Sequence, residues 1–345
     1  MIRKFTSLLF LILLAAATVA PAQEQSAKPD GKEVEKVFMT VTRLDLERGA
    51  AFTWWTEQVW ATQAYADQGE ESLTTFSILK LITRDQHLIS PLPISDNTPA
   101  VDPKTAVLSN DLGVRVSAMP VHPSLNGMLP SLMAFPKADA RGNILDAPGA
   151  TALTLTIGMA GEPEPVSYSW PLPVKYPDIV QDAYAWLDKQ ALRDPALMNE
   201  KEFIITRLLP LMQFDIATAI IAAPMPEALF RELVQHDGMD DPAKLQILDQ
   251  ILQGNDFFIL VGMDNKENPE RSDTVARTAY AMNAAGKRVE QNQSAMLSFA
   301  DIFEELDDEE GKSFVIFPHL GKTGPVKLMI TDEPTGARAE FMWMR

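Results

Sequence analysis

The sequence predicts an α+β protein in two parts: a β-rich, sandwich-like domain over residues 37–173, then an α/β domain over residues 178–345. Three observations carry this. In "ALTLTIGMAGEPEPVSYSW", residues 152–170, apolar residues alternate on both sides of a Gly- and Pro-containing turn, the pattern of a β-hairpin. From residue 179 onward, stretches with helical apolar spacing alternate with short apolar runs. Between the two halves stand Pro171, Pro173 and Pro177, which interrupt regular structure and mark the boundary.

Taken in order, residues 1–22 have the form of an export signal. Arg3 and Lys4 precede the apolar stretch Leu8–Ala17, and Ala20-Pro21-Ala22 supplies small residues for cleavage after Ala22. The apolar stretch is short for a membrane span, which needs about 20 residues. The expected location is therefore periplasmic or secreted. Residues 23–36 are polar and read as a flexible leader.

Val37, Met39 and Val41 alternate and predict a strand at the start of the β-rich domain. "VLSNDLGVRVSAMPV" (107–121) and "LMAFPKADARGNIL" (132–145) add short strands with Asn, Asp and Gly turns. Beyond the boundary, "DIVQDAYAWLDKQAL" (178–192) reads as a helix and "DIATAIIAA" (215–223) as a buried strand. Pro226 and Pro242 in first turns, with Gly238 and Gly254 as stops, delimit two further helices. "FFILVGM" (257–263) is a strand, "SDTVARTAYAMNAAG" (272–286) suits a β-hairpin but is favoured as a helix by its alanines, and "MLSFADIFEEL" (296–306) is another helix. "SFVIFP", "VKLMIT" and "ARAEFMW" close the chain as strands, the last two as a hairpin. Strand–helix–strand alternation predicts a mainly parallel sheet. No internal repeat is visible.

Composition narrows the function classes. The chain has no cysteine, which excludes disulfides, thiol catalysis, thiolate metal sites and a lipid-bearing cysteine. Its net charge is −17, and removal of Arg3 and Lys4 with the leader makes it more negative, so nucleic acid and anionic headgroups are repelled. "LLPLMQFDIATAIIAAP" (208–224) carries Pro210 and Asp215 and reads as core, leaving no stable membrane span after cleavage. No cofactor fingerprint, phosphate-cradling loop, nucleophile elbow or His-Glu-x-x-His occurs. Two acidic loops, "QHDGMDDP" (235–242) and "MDNKENPERSD" (263–273), read first as helix stops and caps. In the second, Asp264 and Asn265 follow a strand end and are candidate ligand contacts.

"AFTWWTEQVW", residues 51–60, holds Trp54, Trp55 and Trp60, three of the six tryptophans. On a helix Trp55 joins Phe52 and Val59 on one face, Trp54 lies nearly opposite, and Trp60 points a third way. On a strand Trp54 and Trp55 face opposite sides. Either way one apolar face cannot bury all three, which predicts partial exposure of Trp54 or Trp55 as a ligand or partner platform. A compact core is the competing reading.

"IIAAPMPEALFRELV" (220–234) and "TGPVKLMITDEPTGARAEF" (323–341), with Pro325 leading a strand, resemble the periplasmic pilus-assembly family of F-type conjugation systems. Pro224 stands where that family usually has a serine, and "VGMDN" replaces its Arg-Gly. The resemblance implies a thioredoxin-like fold without redox cysteines and an assembly role. Three functions are thus in view. The first is a non-enzymatic envelope protein that binds a protein partner or small ligand. The others are an assembly factor and a hydrolase with a dispersed Asp/Glu pair in the interdomain cleft.

Overall fold

The computed structural model describes residues 28–94, 98–122, 125, 131–192, 206–236, 241–262, 278–302, 312–332 and 335–345. Residues 1–22, expected to be an export signal, residues 23–27 of the expected leader, and residues 263–277 with Asp264 and Asn265 lie outside the described residues. The fold is mixed α+β and rich in strands. Two compact units divide the chain: Met1–Met119 with Pro130–Leu192, and Pro120–Leu129 with Arg193–Arg345.

Unit 1 begins with helix α1, Gly31–Val41, capped by Asp30, whose carboxylate accepts the Lys32 N–H at 3.1 Å. Here the sequence predicts a leader followed by a strand, and the structure corrects it. Val37 and Val41, four residues apart, are fully buried while Met39 is 47% exposed, so the 3.6-residue period decides and the apparent alternation is incidental.

Strands β1 (Thr42–Asp45) and β2 (Ala50–Trp55) follow, then helices α2 (Glu57–Asp67) and α3 (Glu70–Asp85) and strand β3 (Gln86–Pro93). Next come β4 (Val101–Asn110), β5 (Arg115–Ser117), β6 (Met133–Pro136), β7 (Ala152–Met159) and β8 (Val166–Pro171). They form two antiparallel sheets, ordered β1-β2-β3-β6 and β5-β4-β7-β8. Successive residues of β2 look to opposite sides. Phe52 stacks on Tyr168 of the second sheet, with ring centroids 4.2 Å apart, and Trp54 meets Trp170 edge-on at 6.2 Å. On the other side Trp55 stacks on Trp60 of α2 at 4.6 Å and meets Phe38 of α1 at 5.6 Å. The first sheet is therefore the middle of three layers, helices on one face and the second sheet on the other. Helix α4, Ile179–Ala191, belongs to this unit too, because Ile179, Val180, Ala183 and Trp186 are buried and Trp186 lies 5.9 Å from Tyr65 of α2. The unit thus continues past the proline-rich stretch to Leu192.

Unit 2 contains β9 (Gln213–Asp215), β10 (Ile220–Met225), α5 (Glu227–His236), α6 (Pro242–Leu252) and β11 (Asn255–Gly262). It goes on through β12 (Tyr280–Met282), β13 (Arg288–Val289), α7 (Gln293–Ile302), β14 (Lys312–Pro318), β15 (Pro325–Thr331) and β16 (Arg338–Met344). The sheets are β9-β10-β11-β14 and β13-β12-β15-β16, and every pairing is antiparallel. Their facing sides share one core of Phe258, Leu260, Val315, Phe317, Leu328 and Phe341 among others.

Three expectations fail here for physical reasons. The parallel sheet does not form, because two helices rather than one separate β10 from β11; the second helix reverses the chain again, and β11 returns antiparallel. The predicted strand 215–223 is a hairpin. The Asp215 carboxylate takes the Thr218 N–H at 2.8 Å and its hydroxyl at 2.9 Å, turning the chain before β10. The alanine-rich stretch after residue 278 is β12 and a turn rather than a helix. The Asn283 side-chain oxygen accepts the Ala285 and Lys287 N–H groups at 3.1 and 2.9 Å, and Gly286 adopts φ 73°.

Both units have one topology, strand for strand, so an internal repeat exists after all. The registers agree: Leu108↔Leu155 and Leu155↔Tyr168 in unit 1 occupy the places of Ala281↔Leu328 and Leu328↔Phe341 in unit 2. Turn chemistry agrees as well. Asn110 accepts the Leu112 and Val114 N–H groups as Asn283 accepts those of Ala285 and Lys287. The Trp170 indole donates to the Val41 carbonyl at 2.7 Å, and the Trp343 indole to the Leu211 carbonyl at 2.7 Å. The Lys137 N–H reaches the Asp85 carbonyl at 3.1 Å, and the His319 N–H reaches that of Gly254 at 3.1 Å.

Candidate functional site

Strand β2 carries Trp54 and Trp55, and Trp60 stands on the first turns of α2. Their exposures are 6%, 9% and 8%, so the partial exposure expected of Trp54 or Trp55 does not occur. Two layers of packing explain how one segment buries all three: the strand sends Trp54 to the second sheet and Trp55 to the helices, where Trp60 covers it. The Trp55 indole donates to the Ser90 hydroxyl at 2.7 Å inside the core. No face of this cluster is left for a flat ligand.

Three of the four histidines have described side chains, His87 in unit 1 and His122 and His319 in unit 2. His87, on β3 beside Trp54 with rings 5.4 Å apart, is 3% exposed, and its Nε2 has no hydrogen-bond partner. Burial pulls its pKa down to about 4, opposed by the Asp146 carboxylate and reinforced by the Lys137 ammonium. In unit 2, His122 lies with its Nε2 3.5 Å from a fully buried Asp332, and its N–H donates to the Ile216 carbonyl at 3.0 Å. His319 is half-exposed, with Nδ1 3.4 Å from Asp256. That carboxylate is already bonded to the Leu320 N–H at 2.6 Å and to Arg345 at 3.0 Å. Each carboxylate–histidine contact thus ties neighbouring segments of backbone together. Among the described residues no group of three or more His, Asp or Glu side chains gathers to hold a metal ion.

An open cleft of about 620 Å³ lies along α1 in unit 1. Helical spacing brings Lys32, Lys36 and Met39 to one side of α1, with Glu35 and Thr40 beside them. The opposite wall is Lys175, Tyr176 and Pro177. Tyr176 fixes that wall: its hydroxyl and that of Thr56 are 2.7 Å apart, and burial raises its pKa to about 12. The lining therefore combines three ammonium groups and one carboxylate with the apolar faces of Met39, Tyr176 and Pro177. Lys36 also pairs with Glu33 at 2.5 Å, an exposed bond of little strength. Such a surface attracts carboxylates and holds apolar side chains between them.

In the sequence "GKEVEK" reads as leader and "PLPVKYP" as domain boundary, so no cleft is expected there. The readable signal is Lys32 and Lys36 one turn apart behind an Asp cap, a short basic helix face in an acidic chain. The candidate Asp264 and Asn265 lie outside the described residues, and Trp54, Trp55 and Trp60 lie in the core.

No protein-family model matches the chain, and neither does any curated protein. Among solved structures it is similar to a DUF4426 family protein from Pseudomonas aeruginosa PAO1, at 16% identity over 36% of this chain and 88% of that one, with a TM-score of 0.22.

Proposed function

We propose that this is an exported, non-enzymatic recognition protein of the cell envelope or secreted space, and that the α1 cleft of unit 1 holds an acidic stretch of a partner protein. The observation that carries the reading is the cleft's cationic lining, Lys32, Lys36 and Lys175, on a chain of net charge −17. A local reversal of sign favours ligands that the rest of the surface repels. The export-signal form of residues 1–22 supports an encounter outside the cytoplasm, and the cysteine-free composition suits folding there without disulfides.

The test is a pull-down from envelope extract with the mature chain, read by mass spectrometry, beside the triple variant K32E/K36E/K175E. A partner captured by the native chain is expected to be lost by the variant and to release as salt rises, since exposed charge pairs are screened over about 8–10 Å. Equal capture by both chains overturns the cleft. Detection of the uncleaved chain in the cytosol overturns the export.

A further inference from the structure

Along α1 the cleft of unit 1 is not uniform, and its two ends differ in chemistry. On the helix Lys32, Lys36 and Met39 stand within about 60° of one another, and Glu35 lies one turn before Met39. The N-terminal end presents the exposed ammonium groups of Lys32 and Lys36. The C-terminal end has its hydroxyls turned inward. Thr40 donates to the Lys36 carbonyl at 2.8 Å, and the Tyr176 and Thr56 hydroxyls share a bond at 2.7 Å. Trp55 meets Phe38 at 5.6 Å and Thr56 follows it in the chain, which sets Tyr176 beside the last turns of α1. Pro177 has no N–H to offer. That end is therefore apolar, with the thioether of Met39, 47% exposed, facing the Tyr176 and Pro177 wall.

Helix geometry fixes the spacing between the two ends. Lys32 and Met39 lie about 10.5 Å apart along the axis, which an extended peptide covers in about three residues. Glu35 adds a sign. Lys36, the other charge near Met39, is drawn back toward Glu33 by their ion pair at 2.5 Å. Among the described residues Glu35 makes no ion pair, so its exposed carboxylate acts on whatever sits over Met39. A carboxylate placed there is repelled, and an apolar side chain is not.

Resting on the reading of this cleft as a protein-binding site, we propose that its occupant is an acidic segment with one apolar side chain about three residues from its first carboxylate, and that Glu35 selects for it. A segment acidic throughout satisfies the lysines, but sets one charge against Glu35 and leaves Met39 uncovered.

The probes are blocked tetrapeptides, Glu-Glu-Ser-Leu and its reversal, each beside the form with Glu in place of Leu. They are titrated into the mature full-length chain and read at the α1 amide signals by NMR. In the chain direction that binds more tightly, the Leu form is expected to bind roughly fivefold better than the Glu form. Glu35→Gln is expected to raise affinity for the Glu form about threefold and to leave the Leu form within about twofold. Met39→Ser is expected to weaken the Leu form alone, by about threefold. Both side chains are exposed, so neither change threatens the fold. Equal affinity for the two forms, or a preference indifferent to Glu35→Gln, overturns the selection and leaves the cationic cleft standing. If no peptide moves the α1 signals at about 5 mM, the cleft itself fails and the selection with it.

Discussion

At the seam between its two sheets, unit 1 sets the Arg43 side chain against the Ser169 carbonyl at 2.6 Å. Unit 2 has Gln213 in the same place, its amide giving to the Met342 carbonyl at 2.5 Å and accepting the Met342 N–H at 3.0 Å. The bond is kept while the residue changes. At Trp170 and Trp343 both residue and bond are kept, each indole donating to a carbonyl of the segment entering the first strand. At His87 and Asp256, equivalent on β3 and β11 and paired to Phe135 and Phe317, neither is kept. A buried backbone carbonyl must find a donor, so positions that supply one are constrained. Positions that owe no donor to a buried carbonyl are free to drift, as from His87 among apolar neighbours to Asp256 on the Leu320 N–H.

The hardest test of that distinction is the tryptophan pair. Trp170 is fully buried and Trp343 partly buried, and each indole donates to a backbone carbonyl. Trp170→Ala is expected to cost about 4 kcal/mol and Trp343→Ala roughly half as much, read as urea unfolding followed by circular dichroism. Phe at either position keeps the ring and loses the donor, and should cost about 1–2 kcal/mol in both units. Unequal losses for the two Phe variants break the claim that the indole bond does the same job twice.

Acid exposes the second difference. His87 is held near pKa 4 by burial, against about 6.5 in an unfolded chain. Above pH 6.5 the imidazole is neutral in both states and costs nothing. Between pH 6.5 and 4 the unfolded chain takes up a proton that the folded one refuses, so stability falls, by about 3 kcal/mol at the lower limit. His87→Leu removes this acid limb. Unfolding free energies of native and variant chains that run parallel between pH 7 and 4 would refute the assignment.

Which of these features the sequence announces depends on how far apart the interacting residues lie. The 152–170 hairpin is legible because alternation and turn are contiguous, and helix α6 because Asp241 caps it, with its carboxylate on the Ala243 N–H at 2.9 Å. The turn motif Asn-x-x-Gly-x-Arg-Val is spelled out at Asn110–Val116 and again at Asn283–Val289, the one local trace of the repeat. The rest of the repeat is hidden by compensation in the core. Unit 1 fills its middle layer with Phe52 on β2 and Ile89 on β3; unit 2 has Ala222 and Phe258 there, moving the bulk from one strand to the next. Compared letter by letter these positions are unrelated. Strand direction is not carried by strand–helix alternation alone: both helices between β10 and β11 are legible, each reverses the chain, and β11 therefore returns antiparallel. The α1 cleft was missed because its walls come from residues 32–40 and 175–177, which only the fold brings together.

The smallest test lies in the turns that open each unit. Asp45 accepts the Arg48 N–H at 3.1 Å and the turn closes through Gly49 at φ 64°; Asp215 accepts the Thr218 N–H and closes through Ala219 at φ 52°. A side chain in the left-handed region costs roughly 1 kcal/mol, which unit 1 avoids with glycine and unit 2 bears. Gly49→Ala should therefore lose about 1 kcal/mol. Ala219→Gly relieves the strain but also removes a methyl group that is fully buried, worth about the same. Its net change should stay within about 0.5 kcal/mol of zero, although glycine adds freedom to the unfolded chain. A loss at Ala219 as large as that at Gly49 would mean that the buried methyl, not the backbone angle, decides the residue there. The two turns would then share a shape without sharing its cause.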